Sequence, residues 1–417
     1  MKSIFKEITR CRICGNQELE RVLNLGSLRL TGVFPRGPDE RVPKSPLELV
    51  KCSEGIDETC GLVQLRHSCN PREMFGRSYG YRSGLNASMV AHLREKVADL
   101  QKLVRLNSGD LVIDIGSNDG TLLGAYPANR GLELIGVDPT AENFRRFYPK
   151  GARLIPEFFA ADSIKKHIGG KRAKIITSIS MFYDLESPLS FMEDIHETLA
   201  DAGIWHFEQS YMPTMLQHNS YDTICHEHLE YYRMKQIKWL TDRTGFKIID
   251  AKFNKINGGS FAITVAKKSS KHADCGNAVT AILDDEATKG LGKLAVYQQF
   301  NRHVREHAER LTSFIRDANS RKKTVFGLGA STKGNVILQY CGFSEEDIKF
   351  IGDVNSEKFG CYTPGTGIPI ISEGEAIRRH PNYFLVLPWH FRSHFMNHRQ
   401  KYGDSTLVFP LPELTVA

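Results

Sequence analysis

The chain reads as an α/β protein built on open, mostly parallel sheets, preceded by a small metal-bound module. Three observations predict this. Short continuous apolar runs recur between helix-length segments, the pattern of strands buried on both faces. Two of those runs enter glycine-bearing turns, at Val112–Thr121 and Lys323–Gly334. The first 70 residues lack that alternation and hold five of the nine cysteines.

The elements follow in order. Residues 1–70 carry turn signals at Gly37-Pro38 and Val42-Pro-Lys-Ser-Pro46 and only short apolar runs such as Leu62-Val-Gln-Leu65. They predict a loop-rich module with too little core to fold unaided, which favours a structural metal. Cys11-x-x-Cys14 with Cys52 and Cys60 supplies four thiolates, a closed and therefore structural Zn²⁺ shell. Cys69 could replace Cys60, and four free buried cysteines are the plain alternative.

The spacing Met89, Leu93, Val97, Leu100, Val104 predicts a helix over 88–106. Strands follow at 111–115, 133–138, 174–179 and 204–208, then a strand pair at 247–254 and 260–267 turning at Asn257-Gly-Gly259. Residues 278–320 read as charged helix, and a smaller α/β unit begins at Lys323. The domain division expected is 1–70, 71–270 and 271–417.

Composition narrows the function. A net charge of +7 is dispersed, and the densest basic run is Arg321-Lys-Lys323, which argues against a nucleic-acid partner. No apolar run reaches the roughly 20 residues of a membrane span. The N-terminus shows no apolar leader, so a cytoplasmic, reducing setting is expected.

The chemistry concentrates in Tyr221-Asp-Thr-Ile-Cys225-His226-Glu227-His228-Leu-Glu-Tyr-Tyr232. A packed core gains nothing from that mixture, whereas proton transfer needs it. Upstream, Asp114, Gly116, Asn118 and Gly120 form a strand turn at the edge where open α/β sheets bind nucleotides. Asp138, ending the next strand, suits the two hydroxyls of a ribose. Ser180 and Phe182 follow the third strand toward the cofactor, with Tyr183 toward a substrate. Gly329, Ser331 and Lys333 could receive a phosphate at a helix start, or Ser331 could simply cap that helix. Asn257 is read first as a hairpin turn and also as a substrate contact. The stretch Phe75–Ser83 could fold over a site. His92, His196 and His303 read as ordinary helix or surface residues, and Trp389-His-Phe391 receives no role.

In this order, the Cys-x-x-Cys module, the Asp-Ile-Gly-Ser-Asn-Asp-Gly turn, the Cys-His-Glu-His-Leu segment and the Gly-x-Gly-Ala-x-x-Lys-Gly turn resemble the S-adenosylmethionine (SAM)-dependent sugar C-methyltransferases that build branched deoxysugars. The resemblance covers nearly the whole chain. It implies a zinc module, a class I methyltransferase domain and a C-terminal Rossmann-like domain that helps hold a nucleotide-linked 4-keto sugar. It also implies an enolate mechanism with His228 as base, Glu227 and His226 in support, and Tyr79 and Tyr81 approaching the sugar. Two departures stand out: Cys225 occupies the place of a tyrosine, and Cys52 and Cys60 are more widely spaced than in the family pattern. The rival readings are an O- or N-methyltransferase, a zinc-ribbon nucleic-acid binder, and an NAD-dependent oxidoreductase. The last lacks a third glycine and a clear ribose acid.

Overall fold

The computed structural model describes residues 4–417 except 38, 56–57 and 75–80. Tyr79 therefore lies outside the described residues. The N-terminal part is not loop-rich. Leu19–Arg29 and Lys44–Cys52 pair antiparallel, Val63–Leu65 adds to the second, and Glu230–Tyr231 of the reactive segment completes a four-stranded sheet. One face carries Val22, Leu23, Leu25, Leu47 and Leu49 into the core. Register shifts at Arg21/Leu23 and Asn24/Ser27 break the two-residue alternation. A sequence pattern therefore could not reveal these strands.

The central sheet has seven strands in the spatial order Phe246–Asn254, Ser260–Lys267, Leu199–Ser210, Ala173–Ile179, Leu111–Ile115, Glu133–Val137 and Arg153–Ile155. Ser260–Lys267 runs antiparallel to both its neighbours; the remaining pairs are parallel. All five residues of Leu111–Ile115 are buried, as expected of a strand with helices on both faces. Helix Ala87–Leu103 starts at Asn86, whose side chain accepts from Ser88 N and Met89 N, and buries Met89, Leu93, Val97 and Leu100 in the predicted register.

Helices Gly276–Thr288 and Leu294–Ser320 lead to a second sheet, ordered Ile370–Ser372, Ile351–Asp353, Val325–Leu328, Tyr383–Val386, Thr406–Phe409 and Thr415–Val416. Only its last pair is antiparallel. Among the described residues, no helix is long and apolar enough to cross a membrane. The three sheets meet around residues 221–232. His226 reaches Ser45 in the N-terminal sheet, and Trp389 of the C-terminal sheet domain reaches Asp222.

Candidate active site

The Sγ atoms of Cys11, Cys14, Cys52 and Cys60 all lie within 4.8 Å of one another. Four converging sulfurs in a mostly buried pocket fit tetrahedral Zn²⁺, and no side chain in the group leaves a ligand position open. Hydrogen bonds from neighbouring thiols, Cys11 first, pull Cys14 far down and Cys52 to about 6. Cys69 is buried outside this group, and Cys60 supplies its fourth sulfur.

At the carboxyl edge of the central sheet, Gly116 N donates to Val137 O at 2.8 Å with φ +70°. A Cβ there would press on the Met181 side chain at 3.1 Å, so only glycine keeps this edge open. Asp138 accepts from Asn118 N at 2.8 Å and Thr140 N at 2.6 Å. Thr140 Oγ1 also donates to Oδ1, at 2.7 Å, so Oδ2 is the oxygen that retains a lone pair for a ribose hydroxyl. Asn118 holds the segment before the first helix, donating to Tyr81 O at 3.0 Å and accepting from Ser83 N at 3.0 Å. This open edge with a ribose-type acid fits SAM. Two expected cofactor contacts change role. Phe182 is fully buried, stacked on Tyr232 and packed against Trp205 and Phe207, and so belongs to the core. Asp114 turns inward to accept from Thr177 Oγ1 at 2.6 Å, and burial raises it to about 7.

His228 is half-buried and lies against the Tyr183 ring, with centroids 4.3 Å apart. Its Nδ1 bonds Thr223 O at 2.8 Å. A carbonyl only accepts, so Nδ1 carries the proton and Nε2 keeps a lone pair. Burial, then the Lys333 charge, lowers its pKa to about 3. The ring is neutral at physiological pH and able to accept a proton.

The flanking residues behave differently. His226 is buried and its Nε2 donates to Ser45 O at 3.1 Å. It faces the N-terminal sheet. Cys225 is fully buried, its thiol pushed well above the ordinary range by burial. The thiol therefore keeps its proton, and its side-chain partner is Glu227. Glu227 lies against Gly32, where a Cβ would overlap its Oε1 and approach Thr332 Oγ1 at 3.4 Å.

The His226 environment has a measurable consequence. Burial depresses its pKa from 6.5 to about 4. The stability it contributes is present above pH 6.5 and is lost as pH falls toward 4. At about 1.4 kcal/mol for each pH unit, that interval is worth on the order of 3 kcal/mol. His226→Gln keeps a donor for Ser45 but no proton site. Urea unfolding of this variant should lose less stability than wild type between pH 6.5 and 4.5. Equal losses would exclude a buried neutral His226.

At the C-terminal turn the capping alternative is realised. Ser331 caps helix Thr332–Tyr340 by accepting from Gly334 N at 3.0 Å. Lys333 donates to Asn257 O at 2.8 Å, and Asn257 Nδ2 meets Ser180 Oγ at 3.3 Å. Asn257 (φ +54°) and Ser180 (φ +55°) are both left-handed, a cost accepted where geometry is fixed for use. Lys333 is thereby tied to the edge beside the cofactor. Gly329 lies at the start of this turn.

Several partners escaped sequence reasoning. Trp389 Nε1 donates to Asp222 Oδ2 at 2.8 Å. His92 is not an idle helix residue: it bonds Glu208 at 2.7 Å, beside Lys96 at 2.7 Å and Asn254 at 2.8 Å. Burial works to raise Glu208, but the His92 bond and the Lys96 charge hold it at about 2. The acid missing from the C-terminal turn is Asp353, which ends the second strand of that sheet. Only a position at a strand end could have flagged it.

Comparison with known proteins places this architecture. Family models match in sequence: a zinc binding domain at 11–75, a methyltransferase domain at 89–251, and a C-methyltransferase C-terminal domain at 255–412. C-methyltransferase NovU of Streptomyces niveus is 28% identical over 419 residues, spanning 99% of this chain and 98% of its own. Together the three models run through most of the chain, in the order of a methyltransferase flanked by a zinc binding domain and a C-methyltransferase C-terminal domain. Solved structures resemble only part of this chain. Magnesium protoporphyrin IX methyltransferase of Synechocystis with bound SAM is 14% identical, with a TM-score of 0.30 over 43% of this chain and 77% of that one. A methyltransferase solved with the Haloferax volcanii Trm112 activator is 14% identical, with a TM-score of 0.35 over 44% of this chain and 94% of that one. The assignment rests on the sequence matches. The methyltransferase domain calls for SAM as methyl donor, and the four-cysteine cluster fits the zinc binding domain.

Proposed function

We propose that this protein methylates a carbon beside the ketone of a nucleotide-linked keto sugar. The observation that carries the reading is the fixed tautomer of His228. Its Nδ1 is committed to Thr223 O, and its Nε2 is left unprotonated, with the ring against Tyr183 and near the Lys333 charge. Nε2 takes the proton from the α-carbon. The electron pair left behind becomes an enolate and then forms the new carbon–carbon bond. SAM, bound at the Gly116–Gly120 edge, supplies an electrophilic methyl group. Tyr79 and Tyr81 donate to the enolate oxygen. Lys333 and the Gly329–Ser331 turn receive the phosphates, and Tyr183, Ser180 and Asn257 wall the sugar. Glu227 braces the base from the side of the N-terminal sheet.

The test is incubation with methyl-labelled SAM and a panel of 4-keto sugar nucleotides, with the label located by NMR. A label on a ring carbon next to the former ketone is expected. A label on oxygen or nitrogen would replace this reading with an O- or N-methyltransferase.

Asp138 holds the SAM ribose in this reading. A hydrogen bond to a charged acceptor is worth about 1.5–3 kcal/mol, so Asp138→Ala should weaken SAM at least about tenfold by calorimetry. Unchanged affinity would remove Asp138 from the cofactor site.

A further inference from the structure

The segment that leads into helix Ala87–Leu103 has no core of its own. None of residues 81–86 is buried, and Tyr81 and Leu85 are 48% and 46% exposed. Polar bonds to the cofactor edge hold it in place. Asn118 Nδ2 donates to Tyr81 O at 3.0 Å, and Asn118 Oδ1 accepts from Ser83 N at 3.0 Å. Asp119 Oδ2 accepts from Gly84 N at 2.9 Å. Arg82 lies with its Nε 3.5 Å from Asp119 Oδ2 and its guanidinium 4.0 Å over the Phe147 ring. Phe147 ends the helical turn Ala141–Phe147 that follows Asp138. Four consecutive residues are clipped to this edge by the buried side chains of Asn118 and Asp119. A Cβ on Gly84 would stand 2.6 Å from Asp119 Oδ2, so the fit leaves no room for a side chain there.

Asn118 is the joint. Its backbone is left-handed (φ +48°), and its N–H donates to Asp138 Oδ2 at 2.8 Å. That oxygen is the one open to a ribose hydroxyl. A ligand bound there restrains the Asp138 carboxylate. The carboxylate restrains the Asn118 backbone, and the Asn118 amide restrains residues 81–83. A segment with few buried apolar contacts opens at low free energy, so any added restraint changes how often it is formed.

We propose that Asn118 and Asp119 are positioning residues that couple the cofactor edge to the Tyr81 segment. SAM orders the segment, so the acceptor meets a formed wall only on the SAM-loaded enzyme, and the cofactor binds first. By linkage, an acceptor resting on the ordered segment tightens SAM by the same factor. The assignment to the acceptor rests on the reading of Tyr81 given above; the coupling to the cofactor edge does not.

The test is amide hydrogen exchange of the full-length protein with and without saturating S-adenosylhomocysteine. The Ser83 and Gly84 amides should exchange about tenfold more slowly with the ligand, within the range of coupling between linked sites. Asn118→Gly keeps a left-handed backbone without strain and keeps the N–H on Asp138, but removes the clip. Its Ser83 amide should exchange fast whether or not the ligand is bound, with Leu111–Ile115 protected as in wild type. Gly84→Ala leaves the cofactor turn intact and breaks the Asp119 clip, and it should lose most of the ligand response at position 84. Slowing that persists undiminished in either variant would overturn the coupling, as would wild-type amides indifferent to the ligand. If the coupling appears as stated while no keto sugar nucleotide is methylated, the acceptor reading falls and the coupling stands.

Discussion

His228→Asn should reduce turnover by about 10²–10⁴-fold, the range a positioned general base contributes, while SAM binds normally. Asparagine can still donate to Thr223 O but holds no basic nitrogen. The second readout is exchange. Wild type should wash deuterium from solvent into the α-carbon of the acceptor if enolate formation reverses, and the variant should not. The pH profile adds a sign. The base works in its neutral form, and burial holds His228 at about 3. The kcat/KM should therefore not fall with a midpoint near 6.5 as pH drops, the behaviour of an ordinary histidine. Full exchange and methylation by His228→Asn would end the assignment.

The next largest effect is expected at the metal. Cys11→Ser should lose zinc and, with it, folding free energy, since a closed cysteine site forms only in the folded chain. Elemental analysis should find about one zinc per chain in wild type and much less in the variant. The thermal midpoint should fall by about 10 °C, corresponding to a few kcal/mol in a domain of this size. A variant that is metal-free, active and equally stable would refute a structural role. Asp138→Ala provides the contrast: it should spare zinc and melting while losing SAM.

Much of the fold was legible because its strands are continuous apolar runs. Leu111–Ile115 is buried throughout and Ala173–Ile179 at five of its seven positions, and the periodicity of Met89, Leu93 and Val97 specified a helix face. The N-terminal sheet was not legible. Its long strands shift register twice, so apolar residues fall on neighbouring positions and resemble loop. The reactive segment could be read because its residues are adjacent in sequence. Its division of labour could not. The environments of His226 and His228 depend on the Ser45 and Thr223 carbonyls, and the first is 181 residues away. The Trp389–Asp222 and Asn335–Thr31 bonds join residues 167 and 304 positions apart. No local pattern encodes such pairs. Phe182 was misplaced for a related reason: a residue after a strand can turn outward to a ligand or inward to the core, and only its aromatic neighbours decide.

The strand Glu230–Tyr231 gives the reactive segment a second allegiance. It hydrogen-bonds to Val63–Gln64, in the sheet whose next strand ends at zinc ligand Cys52. Local opening of that sheet must therefore also release the residues that follow His228. Amide protons of 229–232 should exchange with solvent at the pace of Val63 and Leu65 and not at that of the central sheet. Chelation would then be felt as a loss of catalytic order before any loss of the cofactor fold, making the metal a remote guardian of the base.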